Sequence, residues 1–233
     1  EGQDLMNLDD LLLLGETLEG GIEGGKWRIF YDHNHQAGIL GSYNKEALDL
    51  LKGFSAEIKL PKNCRNTKQI IKEVENTLQV NIGKDGAGIG TEVVWDWWET
   101  EEEGAERLSN YLINNLIEEH GIDPNQITVL GIGNLRENNL INALPGSTKS
   151  RLDFLDTGNV ISPAPGKISV TRIDLFKGLE NDFICMVGLP KDMEEEKFAS
   201  LLYVAMTRAT AKLYLTLPSK MKELLKDLKV DQS

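Results

Sequence analysis

The sequence predicts an α/β fold in which helices cover both faces of a mostly parallel sheet. Short apolar runs of strand length alternate along the chain with amphipathic segments of about ten residues or more. A chain of 233 residues with 40% hydrophobic and 27% charged residues can bury a core of ordinary size. No run reaches the roughly 18 apolar residues that a membrane span requires, so we expect no membrane partner.

The predicted strands are runs rich in branched and aromatic residues. They cover 27–31, 56–60, 92–98, 127–132, 168–173, 183–189 and 212–217. The predicted helices cover 9–18, 44–52, 67–78, 101–119, 135–144, 194–202 and 219–228. Asn44 and Thr67 are the predicted caps of two of them, and Gly53 follows the first of these two. Because parallel sheets bind ligands outside the carboxyl ends of their strands, we expect the functional residues at that edge.

Charge and composition divide the chain near residue 55. The net charge is −12, and residues 1–54, with 10 acidic and 4 basic side chains, contribute −6 of it. An acidic protein of this kind is not expected to bind nucleic acid by itself, because phosphate neutralisation requires a basic face. The start of the sequence leaves no room for a preceding strand, so we expect the polypeptide to be cut from a longer one.

Two cysteines and a pair of histidines are candidates for special chemistry. Cys64 and Cys185 lie in apolar or strand-like surroundings, which predicts buried free thiols in a reducing cytoplasm. His33 and His35 lie close to Asp32, but no third cluster of ligands accompanies them. We therefore expect no metal site in this part of the chain.

One stretch, Tyr203–Ala209, organises the rest of the sequence. A helix that ends in Thr207-Arg208 at the lip of a sheet presents a guanidinium, and arginine is the side chain best suited to a phosphate. The alternative is an ordinary amphipathic helix with a solvated arginine. The stretch closely resembles the last conserved motif of superfamily 1 helicases of the UvrD/Rep type. The resemblance implies that Arg208 acts as a finger on the γ-phosphate of ATP.

Two segments in the first 36 residues resemble earlier motifs of the same family. Glu1-Gly2-Gln3-Asp4 is similar to the end of its Walker B motif, which implies that Glu1 polarises the attacking water. The magnesium-binding aspartate of that motif would precede Glu1. The run at 32–36 is similar to the third motif, which implies that Gln36 contacts the γ-phosphate or the water.

Two further segments resemble the fourth and fifth motifs. The run at 63–67 opens a predicted helix, and the resemblance implies that Arg65 also reaches the γ-phosphate. In the run at 170–180, the resemblance implies that Glu180 binds the ribose and that Arg172 and Lys177 contact DNA. Asp174 stands where the family usually has a histidine that faces the DNA, and it would repel a phosphate backbone.

Three other patterns favour structure over function. Residues 20–26 fit the phosphate-loop pattern G-x-x-x-x-G-K, but Trp27 replaces the magnesium-binding hydroxyl residue and a strand is expected to follow. The glycines at 86–90 also lead into a strand. Trp95, Trp97 and Trp98 could stack on bases, but packing on alternate faces of a strand is favoured.

The five motif-like segments occur in the family's order. They imply a RecA-like fold and the carboxy-terminal portion of a UvrD/Rep-like, ATP-dependent DNA helicase: residues 1–54 as the tail of the first RecA-like domain and 55–233 as the second. The implied cofactor is ATP with Mg²⁺. The implied partners are single-stranded or partly duplex DNA and the missing N-terminal RecA-like domain of the same chain.

The resemblance further implies 3′ to 5′ movement, a cytoplasmic location and a connection to DNA repair. Without a phosphate-cradling loop, the fragment alone is expected to be inactive. Two alternatives stay open. One is a non-catalytic, helicase-derived module used for protein interaction, and the other is a fused helicase–nuclease.

Overall fold

A single parallel sheet forms the centre of the protein in the computed structural model, which describes residues 7–31, 44–84, 86–188, 195–223, 225 and 226. Within these ranges the sheet has six strands in the order β1-β6-β5-β2-β4-β3, and every neighbouring pair is parallel. The strands are β1 (Val94–Trp98), β2 (Ile127–Gly131), β3 (Leu152–Phe154), β4 (Ile168–Arg172), β5 (Asn181–Val187) and β6 (Ala209–Pro218).

Helices cover both faces of this sheet. They are α1 (Leu8–Thr17), α2 (Gly21–Gly24), α3 (Lys45–Gly53), α4 (Lys68–Leu78), α5 (Glu101–Asn110), α6 (Asn139–Ala143), α7 (Gly146–Lys149) and α8 (Glu195–Thr207). A π-helical segment, Tyr111–Glu119, continues α5, and short 3₁₀ turns occupy Pro124–Gln126, Leu135–Glu137 and Ser219–Met221. None of the described helices is long and apolar enough to cross a membrane.

Alternate residues of the central strands build two separate cores. On one face, α4 and α8 pack over residues such as Ile184 and Met186, which are at most 1% exposed. On the other face, α5 and its π-helical continuation pack over Cys185 and Val187, both fully buried. The α/β class predicted from the sequence is therefore confirmed.

A third, smaller cluster lies apart from the sheet in the N-terminal part of the chain. Leu11 on α1 packs with Ala47 and Leu51 on α3. The capping role expected of Asn44 is observed, since its side-chain oxygen accepts a hydrogen bond from the backbone N–H of Ala47 at 3.1 Å. The boundary near residue 55 stays a prediction.

Two predicted strands are absent from the described residues. Segments 27–31 and 56–60 have irregular backbone, and Ile58 and Leu60 are 80% and 72% exposed. Among the described residues, neither the apolar run at 27–31 nor the alternating segment at 56–60 has a neighbouring strand with which to form a ladder of hydrogen bonds. The pattern at 20–26 is a short helical turn after α1 and not a strand-to-helix loop, as expected of a false match.

Candidate functional site

Two of the predicted site residues lie at the amino edge of the sheet. β5 begins at Asn181 and β6 at Ala209, and these two residues pair in parallel register. Glu180 and Arg208 immediately precede them, so both lie where the strands begin. The expectation that the functional residues collect at the carboxyl ends was therefore wrong for this pair. The connection after β4 returns across the sheet, and its last residues reach the opposite edge.

Arg65 and Glu180 meet at this amino edge, although 115 residues separate them. Nε of Arg65 donates a hydrogen bond to Oε2 of Glu180 at 2.6 Å, and the two side chains are 42% and 51% exposed. An ion pair with this exposure contributes only about 0–1 kcal/mol, because water screens it. A phosphate could therefore compete for Arg65 at little cost.

The loop that carries Arg65 is held by an asparagine on each side. Oδ1 of Asn63 accepts hydrogen bonds from the backbone N–H groups of Arg65 and Asn66, each at 3.0 Å. Thr67 occupies the cap position before α4, as expected, but its buried hydroxyl has no hydrogen-bond partner among the described residues. The asparagines, and not the threonine, define this turn.

Asn66 connects the Arg65 loop to the end of α8. Its side chain is 2% exposed, and its amide nitrogen donates to the carbonyl oxygens of Thr207 at 3.0 Å and Ala209 at 2.7 Å. Sequence reasoning missed this residue. Its partners lie 141 and 143 residues away, so no local spacing could have indicated the contact.

Arg208 is buried, with 2% exposure. Its Nε donates to the carbonyl oxygen of Val204 at 3.2 Å, and Nη1 donates to that of Leu179 at 3.4 Å. Nη2 donates to Oγ1 of Thr207 at 3.1 Å. The sequence suggested a guanidinium presented at the lip of the sheet. In this conformation the guanidinium instead ties the end of α8 to the segment that precedes β5.

The two predicted DNA contacts differ from each other in their surroundings. Arg172 ends β4 at the carboxyl edge, where Nε and Nη2 donate to the two carboxylate oxygens of Asp174 at 3.0 and 2.7 Å. These hydrogen bonds and the charge of Asp174 raise the pKa of the Arg172 guanidinium. Lys177 is only 8% exposed. Neither cation is freely presented to a phosphate backbone in this conformation.

The height of the sheet separates these two candidate sites. β5 has seven residues, so its ends lie roughly 20 Å apart at about 3.3 Å per residue. Arg65, Glu180 and Arg208 lie at the amino edge, and Arg172 lies at the carboxyl edge. A nucleotide and a nucleic-acid strand could therefore occupy opposite edges without competing.

The remaining predicted residues cannot be placed in the site. Glu1 and Gln36 lie outside the described residues, as do His33 and His35. Within the part of the chain that the structure describes, no group of three His, Cys, Asp or Glu side chains could hold a metal ion.

The tryptophans of β1 divide between the two faces of the sheet. Trp98 is buried at 6% exposure on the α5 side, whereas Trp95 and Trp97 stack on each other on the α4 side, with ring centroids 5.6 Å apart. This pair lines a cavity of about 350 Å³. Nε1 of Trp95 donates to Glu73 at 2.8 Å, and the ammonium of Lys222 lies 5.3 Å from the Trp97 ring centroid.

A family model supports the sequence resemblance. Residues 167–216 match the model of the UvrD-like helicase C-terminal domain. The predicted resemblance is confirmed for this segment. The UvrD-like segment runs from the start of β4 almost to the end of β6, so it contains Arg172, Glu180 and Arg208 but not Arg65.

A solved structure supports the fold. The C-terminal domain of a possible DNA helicase from Lactobacillus plantarum WCFS1 superposes with a TM-score of 0.52 at 20% sequence identity. The superposition covers 70% of this chain and 92% of that one. The RecA-like architecture expected from the resemblance is thus confirmed, while this level of identity carries no information about activity. The comparison with curated proteins gives no match.

Proposed function

We propose that this chain is the carboxy-terminal part of an ATP-dependent DNA helicase and that its nucleotide site is the amino edge around Arg65. The observation that carries the proposal is the convergence of three separate segments at one edge. Arg65 contacts Glu180 at 2.6 Å, and the neighbouring Asn66 contacts the backbone on both sides of Arg208. The cleft would be completed by the first RecA-like domain.

The chemistry of this edge fits a nucleotide. Bound ATP with Mg²⁺ supplies the phosphoryl group whose transfer releases the free energy for movement. Arg65 would stabilise negative charge on that group, and Glu180 would accept hydrogen bonds from a ribose hydroxyl. Gln36 and Glu1 would act from the first domain, on the γ-phosphate and on the attacking water.

A role for Arg208 at the phosphate requires a change of rotamer. Its guanidinium would have to leave the carbonyl oxygens of Val204 and Leu179, which it now binds. When the cleft closes around ATP, the γ-phosphate would compete with these carbonyl oxygens for the guanidinium. Arg65 needs no such change, because it is already 42% exposed.

Contacts with DNA belong to the carboxyl edge in this proposal. There, Arg172 would release Asp174 and bind a phosphate of a single DNA strand. Lys177, only 8% exposed, would have to emerge from the connection after β4. Movement in the 3′ to 5′ direction, a function in DNA repair and a cytoplasmic location rest on the family resemblance.

A non-catalytic interaction module is the second candidate. The pairing of Arg172 with Asp174 at 2.7 Å favours it, as does the net charge of −12, because both weaken attraction to DNA. The exposed Arg65 and the adjacent Glu180 favour the motor.

The deciding experiment is DNA-stimulated ATP hydrolysis by the complete helicase chain and its Arg65→Ala variant. Arginine fingers contribute about 10³–10⁵ in kcat, and we expect a loss in this range. Arg208→Ala is a poorer test, since it also removes the buried hydrogen bonds to Val204 and Leu179. Arg151→Ala is the matched control, because Arg151 is an exposed arginine just before β3 at the same edge.

Each outcome distinguishes the candidates. If the Arg65→Ala variant is as active as Arg151→Ala, Arg65 does not belong to the nucleotide site. A folded complete chain without ATPase activity would favour the interaction module. The 233 residues alone should hydrolyse no ATP, and steady DNA-stimulated hydrolysis by them would contradict that part of the proposal.

A further inference from the structure

Asn66 uses both hydrogens of its buried side-chain amide on a single short piece of backbone. They are donated to the carbonyl oxygens of Thr207 and Ala209, the residues on either side of Arg208. Its Oδ1 accepts a hydrogen bond from Nδ2 of Asn63 at 3.1 Å. The side chain thus has partners on two separate loops.

The carbonyl between these two is held from another direction. The backbone N–H of Asn181 donates to the carbonyl oxygen of Arg208 at 3.1 Å, and Asn181 directly follows Glu180. Three successive carbonyls, those of 207, 208 and 209, are therefore bound by the loops that carry Arg65 and Glu180. The backbone of Arg208 cannot shift relative to Arg65 unless these hydrogen bonds break.

Because the carbonyl oxygens of Thr207 and Ala209 are buried, they depend on donors from Asn66. Thr207 and Ala209 are 4% and 0% exposed, so water cannot easily replace a lost donor at their carbonyls. An apolar side chain at 66 would fill the space but leave both oxygens without a partner. The position therefore requires a side chain with two donors on one short branch.

We infer that Asn66 is a positioning residue that holds Arg65 and Arg208 as one unit, so that both reach the same phosphate together. The inference rests on the proposed nucleotide site. Asn66 is 2% exposed, so it does not face a ligand itself and acts only through the positions of the two arginines. Displacing a group that acts on the transition state by about 1 Å can reduce a rate roughly 10²-fold.

The test compares Asn66→Ala and Asn66→Asp with the unaltered protein in the complete helicase chain, through kcat and KM for ATP. Asn66→Asp keeps the size of the side chain but turns an acceptor towards two carbonyl oxygens. We expect kcat to fall about 10²-fold in both variants, with KM changed much less. Protonation of the introduced carboxyl returns one donor, so the deficit of Asn66→Asp should narrow as the pH falls.

Thr148→Val is the control for a merely structural effect. Thr148 is 1% exposed, and its hydroxyl lies 2.7 Å from that of Ser109 on α5, which covers the face of the sheet opposite to α4 and α8. Thr148→Val also loses a partly buried hydrogen bond, and this variant should keep its kcat. If Asn66→Ala does not fold, Asn66→Ser takes its place, since one hydroxyl can serve one carbonyl and should give an intermediate kcat.

The outcomes separate the inference from the function on which it rests. A chain that loses activity with Arg65→Ala but keeps it with the Asn66 variants would overturn the inference alone. Equal losses in the Asn66 variants and Thr148→Val would also overturn it, because they indicate general destabilisation. If Arg65→Ala leaves ATP hydrolysis unchanged, the proposed function is overturned, and the inference with it.

Discussion

At the scale of single residues, Arg65 and Arg208 show how the same residue type has different surroundings within one candidate site. Arg65 is exposed and forms an ion pair with one carboxylate, so a ligand can bind its guanidinium. Arg208 is buried and donates to backbone carbonyls. The motifs identified both residues, but only the packing around them distinguishes a cation available to a ligand from one that supports the loop.

The two cysteines differ in the same way. Cys64, beside Arg65, is exposed, so the expectation that it is buried was wrong. Cys185 on β5 is fully buried, and this burial raises the pKa of its thiol well above the usual range. A disulfide reagent that absorbs on reaction should therefore modify one thiol per folded chain at pH 8 and the second only in denaturant.

Single-cysteine variants provide the control for this labelling experiment. With Cys64→Ser the folded chain should show no fast reaction, and with Cys185→Ala the fast reaction should be unchanged. Rapid modification of both thiols in the folded protein would contradict the burial of β5.

At the scale of secondary-structure elements, Gly104 controls how closely α5 approaches the sheet. A Cβ atom at this position would lie 2.8 Å from Cγ of Trp98 and 2.9 Å from Cδ1 of Leu140. Both neighbours are buried, at 6% and 3% exposure, so neither can move away freely. Gly104→Ala should destabilise the fold by roughly 1–2 kcal/mol, because overpacking outweighs the better helix propensity of alanine.

Gly146 on α7 provides the matched control. Apart from its chain neighbours and the backbone of its own helix, no heavy atom lies within 4 Å of a Cβ at this position. Gly146→Ala should be neutral or stabilise the fold by about 0.4–1 kcal/mol, since it restricts the unfolded chain. Urea unfolding of the 233-residue chain measures both effects. Stabilisation by Gly104→Ala would show that α5 packs less tightly than described.

The sequence predicted five of the six described strands: the edge strand β1 and four strands with long apolar runs. β2, β4, β5 and β6 lie inside the sheet, where both faces are buried, so their composition alone reveals them. β3 has only three residues and was missed, because such a run is too short to show periodicity. The false strand at 56–60 has the right alternation but no neighbour.

The helices show a similar limit. The spacing of apolar residues predicted one continuous helix over 101–119, and the helical segment is present at this place. Its second half is π-helical from Tyr111, which stacks on Tyr214 of β6 at 4.0 Å between ring centroids. A period of 3.6 residues cannot reveal this change, because it depends on what the helix packs against.

At the scale of the whole molecule, strand order decides which loops meet. The motifs predicted that Arg65, Glu180 and Arg208 belong to one site, and two of the three are in direct contact. Their edge was predicted wrongly, although Glu180 and Arg208 come just before predicted strands and so belong to the amino edge of a parallel sheet. Which loops are neighbours at that edge depends instead on the order β1-β6-β5-β2-β4-β3. No local pattern in the sequence contains that order.

The sheet and the α5 layer are joined by a network that also predicts how the fold responds to pH. The hydroxyl of Tyr214 donates to Oδ2 of Asp96 at 2.7 Å, and Nη1 of Arg107 donates to Oδ1 at 2.7 Å. Burial, followed by the contact with Asp96, raises the pKa of Tyr214. Burial also raises the pKa of Tyr111, which stacks on it.

Raised tyrosine pKa values make the fold sensitive to alkali. The unfolded chain releases these protons near pH 10, whereas the folded chain retains them. The folded state then binds more protons, so the free energy of unfolding is unaffected below about pH 10 and decreases above it. The loss is up to about 1.4 kcal/mol per pH unit for each tyrosine that stays neutral.

Tyrosinate absorbance at 295 nm tests this prediction. Of the five tyrosines, at least Tyr111 and Tyr214 should ionise only when the chain unfolds, so absorbance and loss of circular dichroism should rise together. Tyr214→Phe should make the decline in stability above pH 10 shallower, because one of the two linked protons is gone. Complete ionisation of a chain that is still folded at pH 11 would mean that the sheet and the α5 layer are not closed over these rings.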